Sequence, residues 1–151
     1  FQHAGLKGRV VHGSTTEVSG YVFASTPWEE KAKHLALANA DFILGGHCGL
    51  PFNQQKEEKY WLNPGVIGMP ANDGTQDGWY LLIETMGEQL QASWHRLHYP
   101  AEKAQQGMLS AGLSSGYADT MTSGLWPSED VLPVAEKSNR GKALILPPIL
   151  F

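Results

Sequence analysis

The stretch Asp41-Phe42-Ile43-Leu44-Gly45-Gly46-His47-Cys48-Gly49-Leu50-Pro51-Phe52 joins a short apolar run to a glycine-rich turn. The run is typical of a buried strand, because it is short, apolar and followed by residues that interrupt a strand. The turn places the only cysteine of the chain beside a histidine. His47 could be a metal ligand, Cys48 could be a nucleophile, or the segment could be only a tight turn. The stretch alone leaves these three interpretations open.

His12 has a setting similar to that of His47. It follows Arg9-Val10-Val11, which predicts a short buried strand, and it precedes Gly13-Ser14. In layered α/β proteins, ligands bind at the ends of strands, and glycines there let the backbone approach a ligand closely. A neutral imidazole in such a place is a natural ligand for a divalent metal. His12 and His47 are therefore the candidate metal ligands.

Cys48 supports a different hypothesis, a thiol enzyme in which His47 activates the sulfur. Side chains of adjacent residues usually point apart, and no third group that would orient His47 is evident. A small buried thiol that fills the turn is the structural alternative. The sequence contains no phosphate-binding loop and no dinucleotide fingerprint.

Length and composition describe one globular domain with a sizeable core. The chain has 151 residues, of which 42% are hydrophobic and 17% charged. A net charge of −4 gives no support to a nucleic-acid or membrane-surface partner, and no apolar run is long enough to span a bilayer. One cysteine rules out an internal disulfide and is typical of a reducing compartment, so we predict a cytoplasmic location.

The order of predicted elements mixes strands and helices. Thr26-Pro27-Trp28-Glu29 has the pattern of a capping box and predicts a helix that ends near Asn39, between the strands that precede His12 and His47. A βαβ-like unit follows from this order. The remaining predictions are strands at Lys59–Leu62, Gly78–Thr85 and Gln89–Tyr99, the last two forming a hairpin, helices at Ala101–Ser110 and Gly116–Ser123, and a tail from Pro133 that wraps over the body.

Three segments together resemble a known family. They are Val10-Val11-His12-Gly13-Ser14, the stretch Asp41–Phe52, and Leu62-Asn63-Pro64-Gly65-Val66-Ile67-Gly68. Their order and spacing are similar to the "VHG", "GHTHLPF" and "NPGSVG" elements of the calcineurin-like metallophosphoesterases. The segments from Gly124-Leu125-Trp126 to Pro133 also resemble the C-terminal extension of one bacterial branch.

The resemblance implies a mixed α/β (α+β) fold, a β-sandwich flanked by helices, of which this chain would form about one half. Residues 1–99 would be the C-terminal half of the metallophosphoesterase domain, and residues 100–151 would be a helical, proline-containing extension packed on it. The family's Asp-x-His, Gly-Asp and Gly-Asn-His elements do not occur in this chain. The partner implied by this is the N-terminal half of the same protein.

The resemblance also implies two divalent metal ions, with Mn, Fe, Zn, Ni or Mg as candidates. His12 and His47 would bind one of them, and Cys48, Gly49, Asn63 and Gly65 would line the site. The second histidine of "GHTH" binds the other metal in the family, but this chain has Gly49 there, so the second ion would have fewer protein ligands. Activity should fall in acid as the two histidines become protonated.

The implied function is hydrolysis of a phosphate monoester or diester at a dinuclear metal site, with a small phosphorylated molecule as the substrate. This half of the fold would supply ligands and no catalytic residue of its own. The alternative is a non-catalytic binding module that keeps the fold with a degenerate metal site.

Overall fold

The computed structural model describes residues 1–151 and contains two β-sheets and four helices. The elements in chain order are β1 (Gln2–His3), β2 (Leu6–Val11), α1 (Trp28–Ala38), β3 (Phe42–Gly45), β4 (Phe52–Lys56), β5 (Lys59–Asn63), β6 (Gly78–Met86), β7 (Gln89–Leu97), α2 (Ala101–Ser110), α3 (Ser115–Ser123), α4 (Val134–Lys137) and β8 (Ile149–Leu150). None of the four helices has the length and hydrophobicity that spanning a bilayer requires.

The first sheet has the strand order β1-β2-β3-β5-β4. Strands β2, β3 and β5 are parallel, while β1 and β4 pair antiparallel with their neighbours. Helix α1 connects β2 to β3, as a parallel crossover requires, and this confirms the predicted βαβ unit. The second sheet, β6-β7-β8, is antiparallel throughout and includes the predicted hairpin.

Strands β3 and β5 of the first sheet are buried on both faces, and each face packs against a different layer. Phe42 and Leu62 pack on one face with Trp79, Leu90 and other residues of the second sheet. On the opposite face, Ile43 and Trp61 pack with Leu35 of helix α1. Side chains alternate between the two faces along a strand, which explains why β3 is an unbroken apolar run. The predicted β-sandwich flanked by helices is confirmed.

The C-terminal tail lies against the sandwich. Strand β8 pairs with Gln91 and Ala92 of β7. Phe151 exchanges two backbone hydrogen bonds with Leu90, at 2.8 and 2.9 Å, and its ring lies 5.4 Å from that of Phe42. The tail therefore adds a strand to the second sheet and a side chain to the core between the sheets.

Two local predictions were wrong. The capping box does not form, because the Thr26 hydroxyl accepts a hydrogen bond from the Phe23 amide, 2.9 Å away, and Pro27 takes the N-cap position without a side-chain cap. The strand before His12 was expected to be buried, but Val10 is 63% exposed. The two-residue strand β1 pairs only with Leu6 and Lys7 of β2, so the rest of β2 forms the edge of the sheet.

Strand β4 was not predicted from the sequence. Its residues after Phe52 are polar, and the turn that joins it to β5 is made by Glu57 and Glu58. Both glutamates have positive φ values, of 52° and 56°. Such turns normally contain glycine or asparagine, because those residues adopt positive φ at low cost. The usual hairpin signal is therefore missing.

Candidate metal centre

The topology brings His12 and His47 together. Strands β2 and β3 are adjacent and parallel, with Val11 paired to Gly45, so their carboxyl ends lie at the same edge of the sheet. His12 Nε2 and His47 Nδ1 are 2.9 Å apart, which is a hydrogen-bond distance. His12 is exposed and His47 is half-buried, so a small ion could reach both nitrogens from solvent.

The two imidazoles fit the role of two ligands to one cation. Two nitrogens that each lie about 2.1 Å from a cation, at a right angle to one another, are about 3.0 Å apart. The distance of 2.9 Å between His12 Nε2 and His47 Nδ1 is close to that value. The chain contains no group of three or more histidine, cysteine, aspartate or glutamate side chains placed to hold a metal ion. These residues therefore fit part of a metal site.

The backbone around His47 is held in an uncommon conformation. His47 has a φ of 49°, in the left-handed region that few residues other than glycine adopt. The preceding amide, of Gly46, donates a hydrogen bond of 2.9 Å to the His12 carbonyl oxygen. The ring of Tyr21 lies 4.5 Å from that of His47, measured between centroids. These contacts fix the imidazole of His47 next to that of His12.

Asn63, at the end of β5, holds the loop around His47 by hydrogen bonds. Its side-chain amide donates hydrogen bonds to the Gly46 carbonyl oxygen at 3.0 Å and to Cys48 Sγ at 3.1 Å. Its side-chain oxygen accepts one from the Gly65 amide at 2.9 Å. Asn63 is completely buried, and both polar atoms of its side chain have hydrogen-bond partners. Asn63 thus positions the loop on either side of His47.

Gly65 is required by the turn that follows Asn63. Its φ is 76°, and a Cβ atom built on it would lie 2.6 Å from Trp79 Cβ. We expect Gly65→Ala to destabilise the protein by about 1–3 kcal/mol more than Gly87→Ala does, because overpacking adds to the backbone strain. Gly87 is the matched control, since its φ is 65° and a Cβ atom there would have no other atom within 4 Å. Equal losses in urea denaturation of the two variants would contradict this account of the turn.

Gly49 stands beside an aromatic ring, where a side chain would be crowded and its backbone conformation strained. Its φ is 74°, and a Cβ atom there would lie 3.3 Å from Trp126 Cζ2 and 3.9 Å from Met69 Cε. The benzene edge of Trp126 thus occupies the space into which a side chain at this position would extend. Position 49 therefore offers no side chain that could bind a cation.

Cys48 is a buried thiol with little chemical reactivity. It is 2% exposed, and burial raises the pKa of the thiol to about 11. The thiolate is the nucleophilic form of cysteine, so at neutral pH almost none of it is present. Cys48 Sγ accepts the hydrogen bond from Asn63 and packs in the core with Trp61 and Phe52. This environment argues against the thiol-enzyme hypothesis.

The structure adds residues to the site that the sequence did not indicate. Tyr21 lies in the loop before α1, and Tyr117 and Trp126 lie far along the chain in residues 100–151, yet all three line one pocket with His47. No motif marks Tyr21 or Tyr117, and the resemblance of the segment that contains Trp126 did not assign that residue to the site. Their position depends on how residues 100–151 pack against the sandwich, which local sequence does not specify.

The sequence matches no protein-family model, and it matches no curated protein. The fold does resemble solved structures. A metallophosphoesterase from Sphaerobacter thermophilus has a TM-score of 0.65 and 22% identity, over 77% of this chain and 54% of that one. A hypothetical protein from Pyrococcus horikoshii OT3 has a TM-score of 0.67 and 13% identity, over 82% of this chain and 48% of that one.

These similarities establish the fold. The chain has the calcineurin-like metallophosphoesterase fold, as the three sequence segments predicted. It spans about half of the length of the two solved structures.

Proposed function

We propose that this chain supplies part of the dinuclear metal site of a phosphoesterase, which hydrolyses a phosphate monoester or diester. The observation that carries the proposal is the 2.9 Å approach of His12 Nε2 to His47 Nδ1 at the ends of two parallel strands. The metallophosphoesterase fold supports it. The other ligands, including the bridging carboxylate of such sites, would come from the half of the fold that this chain does not span.

His12 and His47 would bind the cation as neutral imidazoles. In their present hydrogen bond, one of the two facing nitrogens carries the proton and the other accepts it. Both must present a lone pair to hold a cation. That proton therefore leaves the contact, to the other nitrogen of the same ring or to solvent. When bound, a divalent cation supplies Lewis-acid stabilisation of the phosphoryl oxygens and lowers the pKa of a nearby water.

The surrounding residues would keep the two imidazoles in place. Asn63 holds the loop on both sides of His47 through Gly46 and Cys48, and Tyr21 packs against the His47 ring. Such supporting contacts orient metal ligands, and their loss in known sites lowers affinity or activity by about 10- to 100-fold. Asn63 and Tyr21 are therefore positioning residues in this proposal, and Gly49 and Gly65 shape the backbone around it.

Residues 1–99 would carry the metal ligands, and residues 100–151 would form an extension packed on them. The cation would be Mn, Fe, Zn, Ni or Mg, because imidazole suits several of these ions. The substrate would be a small phosphorylated molecule. A cytoplasmic location remains a prediction from the single cysteine.

Metal removal tests the function directly. We expect the full-length protein to hydrolyse p-nitrophenyl phosphate or bis(p-nitrophenyl) phosphate, to lose that activity after EDTA treatment and to regain it with Mn²⁺, because the chemistry depends on a bound cation. Release of p-nitrophenolate is the measurement. Zn²⁺, Ni²⁺, Fe²⁺ and Mg²⁺ added separately identify the preferred ion. Hydrolysis that survives exhaustive chelation would contradict the proposal.

The non-catalytic alternative has an observation of its own in its favour. Gly49 offers no ligand, and Trp126 fills the neighbouring space. A binding module with a degenerate site would contain less than one equivalent of metal after purification and would not hydrolyse either ester with any of the five ions. Metal analysis by mass spectrometry of the full-length protein separates the two hypotheses.

A further inference from the structure

A pocket of about 210 Å³ opens beside His47. Aromatic and apolar side chains form most of its wall. Those that matter here are Tyr21, Met69, Tyr117, Trp126 and Val131. Tyr117, Trp126 and Val131 belong to residues 100–151, while Tyr21 packs directly on His47. The pocket therefore begins at the candidate metal centre and extends between the sandwich and the C-terminal extension.

The pocket carries no formal charge apart from any proton on His47. None of its lining residues is an aspartate, glutamate, lysine or arginine. A phosphoryl group needs cationic or strongly hydrogen-bonding partners, so it would stay outside the pocket, at the histidines. An uncharged part of the same molecule would occupy the pocket.

The wall of the pocket offers one fixed aromatic side chain and two partly exposed ones. Tyr21 and Tyr117 are 45% and 54% exposed, so parts of both rings face solvent. Trp126 is fixed, because its indole nitrogen donates a 2.7 Å hydrogen bond to the Pro70 carbonyl oxygen and its amide donates a 2.8 Å hydrogen bond to Asn72 Oδ1. Aromatic side chains bind flat rings by offset stacking and edge contacts.

The volume is also consistent with an aromatic ring. An apolar protein cavity of about 150 Å³ is large enough to bind benzene, and this pocket is larger, at about 210 Å³. It has room for a one-ring or compact two-ring group.

We propose that this pocket binds an aromatic ring attached to a phosphate ester, so that aromatic phosphate compounds are the preferred substrates. That the ligand carries a phosphate ester rests on the proposed function, whereas the preference for an aromatic ring rests on the pocket alone. The ring could be a nucleobase or a simple aryl group, which share the same stacking chemistry.

Two pairs of compounds distinguish a nucleobase from a simple aryl group as the ring that the full-length protein binds with Mn²⁺ present. Adenosine 5′-monophosphate and ribose 5-phosphate both release a primary 5′-hydroxyl of ribose and differ in the presence of the base, so their KM values report the nucleobase. Phenylphosphonate and methylphosphonate, used as competitive inhibitors of p-nitrophenyl phosphate hydrolysis, report an aryl ring. We expect the aromatic member of at least one pair to bind about 10-fold more tightly, as one stacked ring typically allows. Ratios near one in both pairs would overturn the proposal.

Variants of Tyr117 test whether this pocket causes the preference for aromatic compounds. Tyr117→Ala should bring the ratio of the selective pair close to one, whereas Tyr117→Phe should keep it, because the ring stays. Tyr80→Ala is the control, since Tyr80 is 41% exposed on the second sheet and does not line the pocket. A ratio that Tyr117→Ala leaves unchanged would also overturn the proposal.

A metal-free measurement separates this proposal from the phosphoesterase proposal. Saturation-transfer NMR with adenosine and ribose on the EDTA-treated full-length protein needs neither cation nor hydrolysis. Transfer to the adenine protons that is stronger than transfer to ribose and is lost in Tyr117→Ala supports the pocket even if no ester is hydrolysed. Hydrolysis without selectivity, and without saturation transfer to adenine, would overturn the pocket and leave the phosphoesterase proposal standing.

Discussion

His47→Ala is expected to lower metal-dependent hydrolysis by the full-length protein by at least about 100-fold. Loss of residues that only orient a metal ligand costs about 10- to 100-fold, and His47 would bind the metal itself. Its Nδ1 lies 2.9 Å from His12 Nε2, so its removal would leave His12 as the single ligand from this chain. The measurement is kcat/KM for p-nitrophenyl phosphate over a range of Mn²⁺ concentrations, together with the metal content of the variant.

Two further variants make this test specific. His47→Asn shortens the side chain but suits the φ of 49° at this position better than alanine does, so it separates loss of the ligand from backbone strain. His12→Ala should have a similar effect, and the double variant should be little worse than either, because both residues would serve one cation. His98→Ala is the control, since the side chain of His98 is 80% exposed and lies away from the site. Full activity in both His47 variants at saturating Mn²⁺ would refute the proposed site.

Asp73→Asn is expected to lower the free energy of unfolding by about 3 kcal/mol, the lower end of the cost of breaking a buried ion pair from one side. The side chain of Asp73 is only 1% exposed and contacts Arg96 at 3.0 Å. It also accepts hydrogen bonds from the Thr75 amide and hydroxyl and from the Leu144 amide. Asp73 therefore joins strand β7 to the C-terminal tail. Urea denaturation of wild type and variant measures the loss.

The Asp73 carboxylate also makes the stability of the folded protein depend on pH. Burial alone would raise the pKa of Asp73, but the hydrogen bonds from Thr75, Leu144 and Arg96 outweigh it, so the pKa lies below its ordinary value of 3.8. The unfolded chain then binds the proton more readily than the folded protein does. The stabilisation is present above about pH 4 and is lost as the pH falls through the folded pKa. The stability difference between wild type and Asp73→Asn should shrink over that range.

Asp119→Asn is the matched control for Asp73→Asn. Asp119 is exposed on helix α3 and accepts one hydrogen bond, from Gln105, so its replacement should change stability by less than about 0.5 kcal/mol. A loss of stability at Asp73 as small as that at Asp119 would mean that the buried ion pair does not hold the tail.

Several features of this protein could be predicted from local sequence. The apolar run before Gly45 identified a strand buried on both faces, because side chains of such a strand need no polar alternation. The settings of His12 and His47 identified them as the candidate ligands, since both follow a strand and precede small residues. Their approach to 2.9 Å required one further fact, that β2 and β3 are adjacent and parallel.

Other features depended on contacts between residues far apart in the chain. The turn at Glu57 and Glu58 has positive φ values without glycine, so pairing of β4 with β5 overrides local preference there. The hydroxyl of Thr26 bonds to Phe23 and not to the helix, which removes the expected cap.

Local sequence was enough to predict most of the longer strands, the crossover helix and the two candidate histidines, because apolar periodicity and turn residues act over a few neighbouring positions. The surroundings of His47 depend on tertiary packing and could not be predicted from local sequence. Trp126 and Tyr117 reach it through the packing of residues 100–151 against the sandwich, and such packing depends on shape matching between distant segments. Gly49 illustrates the difference: in the sequence it is a missing ligand, and in the structure it is the position that the edge of Trp126 overlies.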